Sequence, residues 1–239
     1  LGFDVTLIQK PDHVLSPLDP EIACLVQEHI KRHGIRVVAN EGAVGFKQLE
    51  GGVIDVQTSA GNAYPAEIVI LAIGVRPDTS LAKTAGLTIG DRGGIRVDEH
   101  MRTSDPDIFA VGDVVEVRDF MTDQWSLIAL AGPANRQGRI AADVIAGRDS
   151  RYRGTQGTSI IGLFDGAAAW TGVSEKTLKR IGDEDYEKIF IFPNSHAGYF
   201  PGAKMIGLKV IFRKSDGRLL GAQALGQDGP AVDKRISAL

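Results

Sequence analysis

Apolar positions in this chain follow two different periods, and each period predicts a different kind of element. Val5 to Ile8, Ile35 to Ala39, Val53 to Thr58 and Ile68 to Ala72 are short apolar or alternating runs, which predicts strands. The turn Ser59 to Asn62 separates the last two. Between the first two, Ile22, Leu25, Val26 and Ile30 recur at helical spacing, which predicts a helix over Pro20 to His33. Asp19 stands at its cap position, Pro20 at its first position, and Gly34 ends it. Ile108 to Val111 predicts a further strand that stops at Gly112. Gly132-Pro133 then opens a predicted helix, Ala134 to Ala146. The last third reads as α+β: strands Thr158 to Phe164 and Ala167 to Thr171, a helix Ser174 to Arg180 capped by Ser174, and strands Ile189 to Phe192 and Met205 to Phe212. The turn Ser215-Asp216-Gly217 leads into a strand Leu219 to Leu225, and VDKRISAL is helical in pattern.

The chemistry suggested by these elements is concentrated in two strings. In TSDPDIFAVGD, Gly112 permits a sharp turn and leaves Asp113 at the predicted strand end, where open α/β sheets bind ligands. A carboxylate there accepts hydrogen bonds from sugar or sugar-alcohol hydroxyls. In LAGPANRQGR, Leu130 to Arg139, the free N–H groups of a helix start are able to face an electron-rich ring oxygen. Taken alone, Asp113 reads first as a strand-end turn carboxylate, and Asn135, Arg136 and Arg139 as solvated helix residues.

TSDPDIFAVGDVVEV followed by LAGPANRQGR resembles the second flavin motif and the flavin-facing helix of the pyridine nucleotide–disulfide oxidoreductases. The wording is similar to the branch with coenzyme A-disulfide reductases, persulfide reductases and NADH oxidases. The resemblance implies an α/β chain of partial dinucleotide-binding, Rossmann-like domains followed by an α+β dimerisation domain. Residues 1–74 would be the back half of the NAD(P)-binding domain, 75–150 the C-terminal part of the FAD-binding domain, and 151–239 a truncated interface domain. It implies FAD and NAD(P)H as cofactors. Gly112, Asp113, Leu130, Ala131, Gly132 and Ala134 would face FAD, and Gly74 would bend the return from one dinucleotide domain to the other. Gln9 falls where the family carries an acid toward the adenosine ribose, and Lys10 follows it. That departure makes NADPH less disfavoured than usual, with a solvated Lys10 as the alternative. In SHAGYFPGA, Ser195 to Ala203, Tyr199 matches a tyrosine that the family sends across a dimer interface to the redox cysteine. The alternative is a packed loop aromatic. His196 would assist or be structural, and Asp233, Lys234 and Arg235 would hold an interface or a phosphate, or be solvated.

Several required parts are not in the sequence. No GxGxxG phosphate turn occurs, and GAVG at Gly42 to Gly45 lies between strand-like runs. The single cysteine, Cys24, falls opposite the apolar stripe of its helix and reads as an incidental thiol. The chain is therefore expected to be an internal portion of a longer enzyme, inactive as a reductase by itself. The implied substrate is a small disulfide, a persulfide or dioxygen, with coenzyme A among the implied partners and a homodimer as the assembly. A non-catalytic interaction or structural protein that keeps the fold is the alternative.

Composition adds bounds. With 239 residues, 24% charged and 43% hydrophobic, the chain holds one or two domains with a sizeable core. A formal charge of −3 argues against general nucleic-acid binding. No apolar run approaches the ~20 residues that cross a membrane. One cysteine fits a reducing cytoplasm. No metal-ligand spacing is picked out, so no metal is expected.

Overall fold

In chain order the elements are β1 Thr6–Gln9, α1 Pro20–Arg32, β2 Arg36–Ala39, β3 Ala43–Gln48, β4 Ile54–Thr58, β5 Ala63–Ala66, α2 Ser80–Thr84, β6 Ile95–Arg96, β7 Val115–Arg118, β8 Trp125–Leu127, α3 Ala131–Ile145, β9 Ser159–Leu163, β10 Gly166–Gly172, α4 Glu175–Ile181, β11 Tyr186–Ile191, β12 Ile206–Arg213, β13 Leu219–Gly226 and α5 Gly229–Ser237. They come from a computed structural model that describes residues 2–227 and 229–239. The elements gather into two units, one made of the residues up to Ala72 together with Thr158–Leu239, the other of Ile73–Gly157.

In the first unit, β9 to β13 form an antiparallel sheet in the order β11-β12-β13-β10-β9. Side chains on a strand alternate between faces, so consecutive residues serve two cores. Ala167 and Ala169 of β10 pack with Ile206, Leu208, Ala222, Ala224 and the α5 residues Ala231, Val232 and Ile236. Ala168, between them, packs with Val14, Leu18 and the α1 residues Ile22, Ala23, Val26 and Ile30. The small residues of β10 and β13 let both helices approach closely. At Gly226 an added Cβ would stand 3.1 Å from both Ile206 and Val232. The same unit holds the parallel pair β1-β2 joined through α1, and the antiparallel sheet β3-β4-β5.

The second unit is built on β7, which pairs parallel with β6 and antiparallel with β8. Val97, Met101, Val115, Val117 and Ala141 form its core, with Phe109 and Ile140 packed against it.

Most of the expected elements are present, and four expectations need correcting. Ile68 to Ala72 form no strand, and Ile68, Ile70 and Leu71 are exposed. Ile108 to Val111 form none either: apart from an isolated Arg102–Phe109 bridge the segment has no ladder, and the strand lies beyond Gly112 as β7. Both are apolar and extended in sequence, but a strand exists only where a neighbour takes its backbone groups. In α1 the buried stripe uses Ala23, while Leu25 is exposed. The stripe there is set by how closely the helix meets the sheet, which favours the small side chain. Finally, α3 begins at Ala131, so Pro133 is its third residue. Cys24 is exposed, as expected for an incidental helix thiol.

Candidate functional site

The turn at Gly112 is where sequence and geometry meet most closely. Gly112 has φ +86°, a conformation that strongly favours glycine. Its N–H donates to Oε1 of Gln137 at 2.8 Å. Gln137 is buried on α3, so this bond ties the turn to the helix. Next to it, Asp113 is exposed, and its carboxylate makes no hydrogen bond among the described residues.

The start of α3 is equally open. Leu130 occupies the cap position in extended backbone and provides no side-chain cap. The first helical residues, Ala131 and Gly132, are exposed, and their N–H groups have no partner among the described residues. Pro133 has no N–H, and the Ala134 N–H bonds the Leu130 carbonyl at 3.1 Å. Two unsatisfied amides and the positive end of the helix dipole thus face outward. Asn135 and Arg139 bond one another on the exposed side at 3.2 Å. A free carboxylate and an open helix start, tied together through Gln137, fit a ligand with hydroxyl donors and an electron-rich acceptor. FAD has both.

The remaining expected residues lie in other places. Gln9 ends β1 half-buried, and its carbonyl accepts from the Glu41 N–H at 3.2 Å. Lys10 is exposed, with its stem over Gly42. Glu41, beside them, accepts from Thr58 at 2.7 Å and Asn62 at 2.9 Å, and these bonds hold its carboxyl below the usual range. Gly74 has φ +90°, consistent with the bend expected there. Tyr199 is 91% exposed and its phenol has no hydrogen bond among the described residues. The loop is closed at its base by the Asn194–Met205 bridge and by Ser195 N–H to the Lys204 carbonyl at 2.7 Å. Tyr199 therefore projects from a clamped loop and is no packed aromatic within this chain.

One constellation has no counterpart in the sequence reading. Lys209 of β12 is 0% exposed, and Nζ donates to Asp19, Glu21 and Glu175. Asp19, 1% exposed, does not cap its own helix. It accepts instead from Gln223 Nε2 at 2.8 Å and from the first amide of α4, Glu175 N–H, at 3.2 Å. Burial alone would raise the Glu175 carboxyl, but hydrogen bonds from Lys188 and Lys209 outweigh it and bring it down to about 2. Burial likewise works against charge on Lys209, and its bonds to Glu175, Asp19 and Glu21 leave it raised. These internal bonds hold α1 and α4 against β12, with Asp19 and Lys209 buried at their centre. In the sequence Lys209 is marked only by standing within an otherwise apolar run, Met205 to Phe212.

Residues 1–138 match the pyridine nucleotide-disulphide oxidoreductase family, and residues 159–239 match the dimerisation domain of those enzymes. This chain belongs to that family. An NADH oxidase of Methanocaldococcus jannaschii is 36% identical over the whole chain. The structure of reduced Bacillus anthracis CoADR-RHD superposes on 99% of the chain with TM-score 0.93 and 46% identity, and an NAD-dependent persulfide reductase from A. fulgidus on 99% with TM-score 0.94 and 36% identity. The chain spans 52% of the M. jannaschii protein and 42% and 43% of the two solved chains, about half the length of the curated relatives it matches. Family membership gives the Gly112-Asp113 turn and the α3 start a common context, since both lie within the first matched region.

Proposed function

We propose that this chain is an internal portion of an FAD-dependent NAD(P)H oxidoreductase that reduces a disulfide, a persulfide or dioxygen. In this reading residues 1–74 belong to the NAD(P)-binding domain, 75–150 to the FAD-binding domain and 151–239 to a domain that pairs two subunits. The names of the relatives, NADH oxidase and persulfide reductase among them, support the reaction class. The observation that carries the reading is the Gly112 turn held to α3 through Gln137, with a free carboxylate on one side and a free helix start on the other.

Each residue then has a task. Asp113 accepts from a hydroxyl of FAD. The Ala131 and Gly132 amides meet its ring, with Leu130 and Ala134 fixing the helix start. Gln9 and Lys10 meet the adenosine end of NAD(P)H, where the missing acid leaves room for a 2′-phosphate. Gly74 turns the chain between the two dinucleotide domains. Tyr199 reaches the partner subunit of a homodimer and donates a proton to a leaving thiolate. Bound FAD supplies the relay of electrons from NAD(P)H to the substrate. A cytoplasmic setting and coenzyme A among the partners complete the proposal; among the described residues, no helix is long and apolar enough to cross a membrane.

Asp113→Ala in the full-length protein tests it. A charge-assisted hydrogen bond is worth about 1.5–3 kcal/mol, so flavin affinity should fall roughly ten- to hundredfold. Flavin content after dialysis reads this directly. Retention equal to that of the parent protein would remove Asp113 from the flavin site.

A further inference from the structure

The C-terminal end of α1 and the β9–β10 turn bring together three side chains that the oxidoreductase reading does not use. His29 and His33 are four residues apart, so they share one face of the helix. Asp165 comes from the two-residue turn Phe164-Asp165 between paired Leu163 and Gly166. Phe164 adopts φ +55°, rare for an aromatic residue, and its ring stacks on His33 at 4.3 Å and 2°. That turn places Asp165 Oδ1 3.2 Å from Nε2 of His29 and 3.2 Å from Nε2 of His33.

The hydrogen bonds define what belongs between these atoms. Nδ1 of His33 lies 2.9 Å from the His29 carbonyl, an acceptor, so the Nδ1 proton is directed there. In the neutral ring Nε2 then carries a lone pair, and it faces a carboxylate oxygen. A positive charge belongs between two such acceptors, either the second proton of an imidazolium or a metal ion in its place. A histidine whose second nitrogen donates to a backbone carbonyl is also the usual arrangement of a metal-ligating imidazole. The spacing fits a metal. Bonds of ~2.0–2.1 Å in a tetrahedral shell put neighbouring ligand atoms about 3.3 Å apart. All three ligand atoms lie within 4.8 Å of one another. Gln227 Nε2 donates to the other Asp165 oxygen at 3.2 Å and steadies the carboxylate. His29 Nε2 at present donates to the Leu163 carbonyl at 3.0 Å and would exchange that bond for the metal. Gly166 leaves room for the ring, since a Cβ there would come within 3.3 Å of His29 Nε2.

We propose that His29, His33 and Asp165 form a binding site for a divalent transition-metal ion, Zn²⁺ first among them. Two imidazoles and one carboxylate are the ligand chemistry that this class of ion prefers. The fourth position opens to water, because Asp165 and His33 lie toward the surface. The ion would staple the end of α1 to the β9–β10 hairpin and would act apart from the electron path.

The test is calorimetric titration of ZnCl₂ into the metal-stripped protein carrying Cys24→Ser, which removes the one thiol of these 239 residues. The expected result is saturable binding of one ion, with a rise in thermal midpoint. His33→Ala and Asp165→Asn, made separately at solvent-facing positions, should each weaken binding at least tenfold. Far-UV circular dichroism confirms that each variant keeps its fold, and the two variants serve as replicates if one does not. Absence of saturable binding in the parent chain overturns the proposal. Binding in both variants as tight as in the parent does so too, because the ion would then sit on other side chains. A plain imidazolium–carboxylate pair gives the first of these results.

Discussion

Lys209 and its partners show how much a single residue depends on the whole. A lysine ammonium with no exposure is tolerated only where carboxylates surround it, and Asp19, Glu21 and Glu175 do so here. Within this cluster Glu175 is the carboxyl held well below its ordinary value. Its carboxyl lies at about 2 in the folded chain against an ordinary 4.5. A folded value below the unfolded one stabilises the fold above the ordinary value, and that contribution disappears as pH falls toward the folded one. Acid should therefore weaken the parent protein between about pH 4.5 and pH 2, and Glu175→Gln should flatten that part of the curve while lowering stability at pH 7. Denaturant midpoints across a pH series decide this; equal slopes for the two proteins would mean that Glu175 carries none of the acid sensitivity. The sequence could not reveal the cluster, because Asp19 meets partners 156 and 204 residues away. Asp113 was legible for the opposite reason: its turn and its helix lie in two nearby strings of distinctive composition.

At the scale of elements, periodicity located nearly every helix and most strands, including the Ser174 cap, whose Oγ accepts from the Thr177 N–H at 3.3 Å. It failed where an element needs a neighbour. Ile68 to Ala72 and Ile108 to Val111 have the composition of strands without a ladder to join. Glycines separate the same way, since their role depends on what lies across from them. At Gly221 a Cβ would lie 2.1 Å from the Val173 carbonyl oxygen, so Gly221→Ala must displace backbone between β10 and β13. At Gly138, inside α3, a Cβ meets nothing within 4 Å. Gly138→Ala should stabilise by about 0.5–1 kcal/mol through helix propensity. Gly221→Ala should destabilise by about 1–3 kcal/mol, the range for overpacking. Thermal unfolding of the two variants gives opposite signs if these environments are right, and a neutral Gly221→Ala would refute the close approach.

At the scale of the molecule, the exposed Tyr199 is the residue through which the proposed dimer is tested. If it serves the cysteine of a partner subunit, Tyr199→Phe in the full-length dimer should slow substrate reduction and leave flavin reduction by NAD(P)H nearly unchanged. Rapid mixing separates the two half-reactions. A hybrid dimer with the cysteine removed from one subunit and Tyr199 from the other keeps one intact composite site. Hybrid activity no higher than that of either mutant parent would return Tyr199 to its own subunit. The sequence by itself determined the family, most of the elements and the sharp turn at Gly112, because each is written in local composition, spacing and backbone freedom. Only the tertiary structure decided which apolar runs became strands, that Asp19 serves α4 and not α1, and that His29, His33 and Asp165 converge. Those outcomes depend on contacts between segments far apart in the chain, where burial, charge and hydrogen-bond direction are set by the partner and not by the residue.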